Sequence, residues 1–215
     1  MKRKLAILCA GILIGCLPFT AANAASAPGV FSGPFSAGTA GTLLSGNAIV
    51  GYEFSVSNPV TVTDLGWFDD GGDGLSQSHQ VAIWDVNDTS MPLVSATVPA
   101  GISDLVDGFE YVSLGTDSMI LSPGDYVIAG FVGTLDAYFG RVSGVTSTNF
   151  YVSYTEPRAI LTNNLANLTY PDVTSADASG YFGPNLQVIP IPAAAWLFGS
   201  GLLGLIGIAR MGKTG

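Results

Sequence analysis

The side chains able to do chemistry are few and fall mostly between positions 69 and 110. His79 is the only histidine in the chain. Serine and aspartate are plentiful, so a Ser-His-Asp set can be assembled on paper. No G-x-S-x-G elbow is present, and a triad is defined by geometry and not by residue counts. The expectation for His79 is a structural or surface role. Asp69, Asp70, Asp73, Asp85 and Glu110 are the carboxylates available to a two-carboxylate glycosidase, and nothing in their spacing selects a facing pair. Asp69, Asp70 and Asp73 crowd into a loop bent by Gly71, Gly72 and Gly74. Three carboxylates so close repel one another unless a cation lies between them, and Ca²⁺ prefers carboxylate and carbonyl oxygens. The spacing is not that of an EF-hand: Gly71 stands where a ligand belongs, and the bidentate Glu is missing. A calcium site on Asp69, Asp70 and Asp73 is therefore set beside a plain glycine-rich turn, which is the default. No other cofactor is implied.

Aromatic faces can also bind sugars. Trp67, Trp84, Tyr111, Tyr138, Tyr151 and Tyr154 are available, and a core position is the default for each. Trp67 and Trp84 alternate with other apolar residues and read as core. A tyrosine platform at Tyr151 and Tyr154 is the exposed alternative.

These residues need elements to hold them. Residues 25–46 are small and polar and read as a flexible lead-in. From position 47 to 189 the chain alternates large apolar with small or polar residues, the period of half-buried strands. Strands are expected at 50–56, 60–68, 80–85, 93–98, 109–114, 119–121 and 126–132, then more weakly at 150–154 and 159–161, with a closing strand at 180–188. The continuous apolar run at 126–132 marks a central strand. Residues 163–179 read as loop. No segment has convincing helical periodicity, and turn signals recur every ten residues or so. The expected fold is all-β: an antiparallel β-sandwich, with a jelly roll as one form of it.

Charge and cysteine usage bound the environment. All 16 acidic residues lie between Glu53 and Asp177, where the only basic residues are Arg141 and Arg158. Such a segment repels nucleic-acid phosphates and anionic lipid, so no nucleic-acid partner is expected. Both cysteines, Cys9 and Cys16, lie near the amino terminus, so the central domain has no disulfide framework. Its core must suffice.

The two ends carry topological signals. Lys2-Arg3-Lys4 precedes an apolar run from Leu5 to Leu17, and Ala22-Asn23-Ala24 supplies small residues at the positions a signal peptidase inspects. Residues 1–24 read as a signal peptide cut after Ala24. The competing reading is a lipobox at Leu13-Ile14-Gly15-Cys16, with Cys16 lipidated. At the other end, residues 193–209 hold no charge and would span about 26 Å as a helix, close to the hydrocarbon thickness of a bilayer. Trp196 sits at the outer edge and Arg210 and Lys213 follow, which puts the tail in the cytoplasm and the acidic domain outside. Gly199, Gly201, Gly204 and Gly207 with Ser200 leave a small-residue helix surface.

The stretch Val188-Ile-Pro190-Ile-Pro192-Ala-Ala-Ala-Trp196-Leu-Phe-Gly199-Ser-Gly201-Leu-Leu-Gly204-Leu-Ile-Gly-Ile-Ala-Arg210 resembles a PEP-CTERM protein-sorting signal, in the variant with a V-P-x-P start. Ile191 replaces the Glu of the name-giving motif, and the basic run is thinned to Arg210 and Lys213. The phrase Gly66-Trp67-Phe68-Asp69-Asp70-Gly71-Gly72-Asp73-Gly74-Leu75, followed by Ser78-His79 and Ile83-Trp84-Asp85, is also similar to domains common in such proteins, which have no assigned activity. The resemblance implies a Gram-negative envelope protein from an exopolysaccharide-producing bacterium. It also implies an exosortase-type membrane enzyme acting near Pro190 and Pro192. The expectation is a non-enzymatic exported protein of the cell surface or matrix, associated with exopolysaccharide or biofilm structure. Its precursor would be held in the inner membrane by residues 193–209 within a sorting segment at 190–215. A carbohydrate- or calcium-binding module and a polysaccharide hydrolase are the alternatives.

Overall fold

The computed structural model describes residues 29–32, 46–136, 138–142, 146–161, 168–174 and 180–191. The expected signal peptide with Ala22 and Ala24, Cys16, and the sorting residues Pro192, Trp196, Gly199, Gly201, Gly204 and Arg210 lie outside these residues. The described strands are β1 (Phe31–Ser32), β2 (Gly46–Val56), β3 (Val60–Phe68), β4 (His79–Asp85), β5 (Val94–Val98), β6 (Leu105–Val106), β7 (Phe109–Ser113), β8 (Met119–Leu121), β9 (Gly124–Gly133), β10 (Phe139–Val142), β11 (Thr146–Ser147), β12 (Val152–Leu161), β13 (Val173–Thr174), β14 (Gly180–Phe182) and β15 (Pro184–Pro190). One turn of 3₁₀ helix, Gly115–Asp117, joins β7 to β8.

Two antiparallel sheets carry the fold. The larger has the order β13-β12-β2-β9-β4-β5, and the smaller β15-β3-β7-β6 with β8 also on β3. Two short pairs, β1-β11 and β10-β14, complete it. Side chains from both large sheets meet in one buried cluster, including Tyr52, Phe54, Leu65, Trp67, Ile83, Tyr126, Ile128 and Leu186. The protein is all-β, antiparallel and sandwich-like.

Alternation explains which residues enter that cluster, and two bulges reset it. On β3, Val60 and Val62 point inward. The pairing with β15 then skips Thr63, so Leu65 and Trp67 turn inward in place of Asp64 and Gly66. On β12 the pairing with β2 skips Thr155, which puts Glu156, Arg158 and Ile160 on one face.

β9 lies between β2 and β4, as its unbroken apolar run implies. Tyr126 and Ile128 join the inter-sheet core, whereas Val127 and Ala129 form a second cluster with Ile49, Ala82 and Trp84. Successive strand residues face opposite sides, so the larger sheet is apolar on both faces. Leu168 and Tyr170, from the segment that sequence reasoning reads as loop, pack on that outer cluster. Trp84 is core as expected, but in this second cluster and not between the sheets.

Two further expectations change. The lead-in is not all loose: Val30 and Phe31 are buried, and Gly29 bridges Gln187 beside β15. Phe31 reaches the ring of Tyr52 at 4.9 Å, an edge-on aromatic contact that holds the segment down. The weak strand expectations at 150–154 and 159–161 are one strand, β12, and the closing strand is two, β14 and β15. Asp107 (φ 52°) and Gly108 (φ 82°) form the left-handed turn that joins β6 to β7, the Asp-Gly hairpin signature.

Candidate functional site

His79 opens β4 and is fully buried. Its Nδ1 lies 2.9 Å from the Phe131 carbonyl oxygen, and its Nε2 lies 2.9 Å from Oδ2 of Asp136. A carbonyl oxygen only accepts, so Nδ1 donates to it. Asp136 accepts again from the backbone N–H groups of Ser76, at 2.8 Å, and Gln77, at 2.9 Å. Burial pushes the Asp136 carboxyl up, but those two N–H groups and the His79 ring outweigh it and hold the group below the usual carboxylate range. Both ring nitrogens of His79 therefore face acceptors, and neither is left to activate a serine. The only imidazole in the chain is a structural one.

The indole of Trp67 lies flat on that imidazole, with centroids 4.2 Å apart and planes 3° apart. A Cβ at Gly130 or Gly183 would sit 2.5 or 2.7 Å from indole carbons, so these two glycines make the slot for the ring. The His79–Asp136–Trp67 unit ties β4 to the chain after β9 and to β3 of the opposite sheet.

A second polar junction lies at the 69–74 loop. Asp69 continues the β3–β7 ladder by donating its N–H to Gly108 at 2.9 Å. Its Oδ2 accepts from the N–H of Gly74 at 2.9 Å, closing the loop on itself. Glu110 lies opposite Trp67 on β7 and is fully buried. Its Oε2 accepts from the N–H and Oγ of Ser103, at 2.6 and 2.9 Å, while its Oε1 has no hydrogen-bond partner. Burial pushes the Asp69 carboxyl up, the Gly74 N–H lowers it, and the nearby charges of Glu110 and Asp73 raise it further. Asp69, Asp70 and Asp73 do not converge as the sequence suggests. Among the described residues no three His, Cys, Asp or Glu side chains gather where a metal ion could be held. The physical reason is that Asp69 turns inward to close its own loop while Asp73 stays exposed.

The charged cluster on the outer face of the larger sheet was not singled out by sequence. Arg158 pairs with Glu53 and, at 2.9 Å, with Glu156, and its guanidinium stands 6.0 Å from the Tyr170 ring centroid. Burial lowers the Arg158 pKa, yet the hydrogen bond to Glu53 and the neighbouring charges leave it raised.

The sugar-stacking aromatics are mostly hidden. Trp67, Trp84, Tyr111 and Tyr138 are buried. Tyr154 packs on Tyr52 and Phe182, at 6.1 and 5.7 Å, so it does not form a platform with Tyr151. Phe150, which sequence reasoning passed over, is 94% exposed and meets Tyr151 edge-on at 5.7 Å.

The last described strand runs into the start of the expected sorting motif. Ile189 and Pro190 pair with Thr61 and Val60, and the Ile191 N–H reaches the Pro59 carbonyl at 3.4 Å. Among the described residues no helix is long and apolar enough to cross a membrane, and the 193–209 run lies beyond them. No protein-family model, curated protein or solved structure matches this chain.

Proposed function

We propose that this is an exported cell-envelope protein. A signal peptide at 1–24 carries it out, and the 190–215 segment anchors its precursor and addresses it to an exosortase-type membrane enzyme. The delivered domain is a jelly-roll-like β module that works outside the cytoplasm, in exopolysaccharide or biofilm material. The observation that carries this reading is the ordered series Pro190, Pro192, Trp196, Gly199, Gly201, Gly204 and Arg210, between an acidic domain and a basic end. The geometry supports it at one point. Ile189 and Pro190, where the Pro-Ile-Pro motif begins, are exposed at the end of the last described strand. The jelly-roll reading is supported by the return of β9 between β2 and β4.

The experiment compares the full chain with a chain ending after Ile191 and with a Pro190→Ala, Pro192→Ala double variant, in a host that makes exopolysaccharide. The full chain is expected in the surface or matrix fraction in a shortened form. The truncated chain should be released without membrane retention, and the double variant should stay in the membrane at full length. Identical fractionation of all three chains would sink the proposal.

A further inference from the structure

Among the described residues, the outermost strands of the two large sheets are β5 and β13 in one and β6, β8 and β15 in the other. An open edge invites another strand, and edges are blunted by shortness, charge or cover. β6, β8 and β13 are two or three residues long, and each has an acidic residue within two positions: Asp104 and Asp107, Asp117, and Asp172. β15 is covered, since Val30 donates its N–H to the Leu186 carbonyl at 2.8 Å and Gly29 bridges Gln187. β5 has none of these guards. It runs for 5 residues, positions 89–103 hold no charge, and no described strand pairs its outer side.

Two bonds fix the phase of the ladder. The Leu93 N–H reaches the Ile83 carbonyl at 2.7 Å, and the Val86 N–H reaches the Asp125 carbonyl at 3.2 Å. Odd-numbered residues of β4 therefore bond to β5 and even-numbered ones to β9. Val94, Ala96 and Val98 direct their backbone groups at Ile83, Val81 and His79. Ser95 and Thr97 direct theirs away from the sheet. The side chains of Ser95 and Thr97 are exposed, whereas Val94 and Val98 are buried and Ala96 packs on the main core. The outward N–H and carbonyl groups of Ser95 and Thr97 are self-complementary. When two copies meet antiparallel with Ser95 opposite Thr97, all four groups of each copy are paired and Ala96 lies on the two-fold axis. Any other register leaves one or more of them unpaired. Ser95 and Thr97 then face each other on the outer side of the sheet, a favourable hydroxyl pair. Leu93 already uses its N–H and Pro99 has none, so the ladder stops there.

We propose that two copies of this chain join edge to edge through β5, so that their larger sheets become one continuous sheet. A second copy carries the same excess of acidic groups and is repelled over most of the surface; the uncharged stretch 89–103 is where it can approach. The pairing also carries Met91 and Leu93 of one copy toward Pro99 and Ile102 of the other, which covers exposed apolar side chains on both flanks. Each copy uses up the edge it offers, so assembly closes at two and does not grow into a fibre. This goes beyond the sorting proposal and does not depend on it.

The test uses the purified full chain in detergent, with its mass followed by light scattering as concentration rises. The wild type should double in mass. Thr97→Pro removes an outward N–H that the single chain does not use, and the double variant Ser95→Lys, Thr97→Lys sets like charges directly opposite one another. Both should stay single at every concentration while keeping the far-ultraviolet spectrum of the wild type. Leu105→Lys, on the guarded edge β6, should double as the wild type does. A second measurement is oxidative cross-linking of Ala96→Cys in a Cys9→Ala, Cys16→Ala background. Facing antiparallel residues that share no hydrogen bond have Cα atoms about 4.5 Å apart, inside the range of about 4.4–6.8 Å that a disulfide spans, so a covalent dimer should form. Thr174→Cys, on β13, should form none. The proposal is overturned if the wild type stays single, or if Thr97→Pro and the lysine variant double as it does, which would assign association to another surface such as residues 193–209. It is overturned equally if the N–H groups of Ser95 and Thr97 resist hydrogen exchange in a single chain, because a segment of the same chain then covers the edge.

Discussion

Trp67 on β3 and His79 on β4 stack face to face across the two sheets, 4.2 Å between centroids. The contact joins the main apolar core to the only buried histidine–aspartate pair among the described residues. The indole is placed by absence of side chains at Gly130 and Gly183, and the imidazole by its two acceptors. Position therefore rests on backbone from β9 and from the turn before β15.

Alanine at Gly130 or Gly183 is expected to push the indole off His79. A Cβ at Gly130 would also meet the Gln80 carbonyl at 2.9 Å, so relaxation is blocked on both sides. Each substitution should cost about 1–3 kcal/mol, the range for overpacking a filled core. Urea unfolding followed by tryptophan fluorescence reads the cost. A loss under about 0.5 kcal/mol, the ordinary surface range, would show that the slot is not tight.

Asp136→Asn removes the carboxylate but keeps the shape. It leaves His79 Nε2 facing an amide in a buried place, and breaking a buried pair at one partner is severe. About 2–4 kcal/mol of stability should go, measured by chemical denaturation at neutral pH. The pH dependence follows from the lowered Asp136 pKa. A carboxyl with a depressed folded pKa contributes stability above its unfolded value of about 3.9 and loses it as pH falls through the folded value. The wild type should weaken below about pH 4, and Asp136→Asn should weaken less there. Asp69 runs the other way: its raised folded pKa contributes stability at low pH that is lost as pH rises past its folded value. Asp69→Asn should therefore flatten the fall in stability above about pH 4. Equal slopes for wild type and variant would contradict this.

Much of this was legible because strand period and burial agree. The expected strands at 60–68, 80–85, 109–114 and 119–121 differ from the observed ones by a residue at most. β9 was legible as central because both its faces are apolar. What sequence could not show was nonlocal. Asp136 stands 57 residues from His79, in a turn with no pattern of its own. Glu110 could be named as a carboxylate, but only the register of β7 against β3 brings it beside Asp69. Phe31 lies in a small-residue segment that carries no alternation, and it is held by a strand pair of two residues. The bulges at Thr63 and Thr155 break the alternation and are visible only once the partner strand is known.

The outer apolar face gives a separate expectation. Trp84 is covered by Tyr170 edge-on at 6.2 Å, and Arg158 stands over the same tyrosine ring. Trp84→Ala empties a buried site and should cost about 3–5 kcal/mol. Tyr170→Ala removes only the half-buried cover and should cost about 1 kcal/mol. Tyr170→Ala should also quicken hydrogen exchange along β12 and β4 more than along β15. Uniform protection across the three strands would count against a local covering role.

The share of the last described residues of β15 in stability can be measured by truncation. A chain stopped after Val188 loses the pairing of Ile189 with Thr61 and of Pro190 with Val60, and the Ile191 bond to Pro59. Each lost bond is worth about 1 kcal/mol, so the midpoint should fall by roughly 3–6 °C relative to a chain stopped after Ile191. Val188 itself is buried, so an earlier stop would also expose core. Under the proposed sorting, this would fix how far a cut near Pro190 could trim the chain. Cleavage after Pro190 leaves the ladder whole, whereas cleavage before Ile189 loosens the edge that β15 lends to β3. Equal midpoints for the two truncated chains would show that residues 189–191 add no stability.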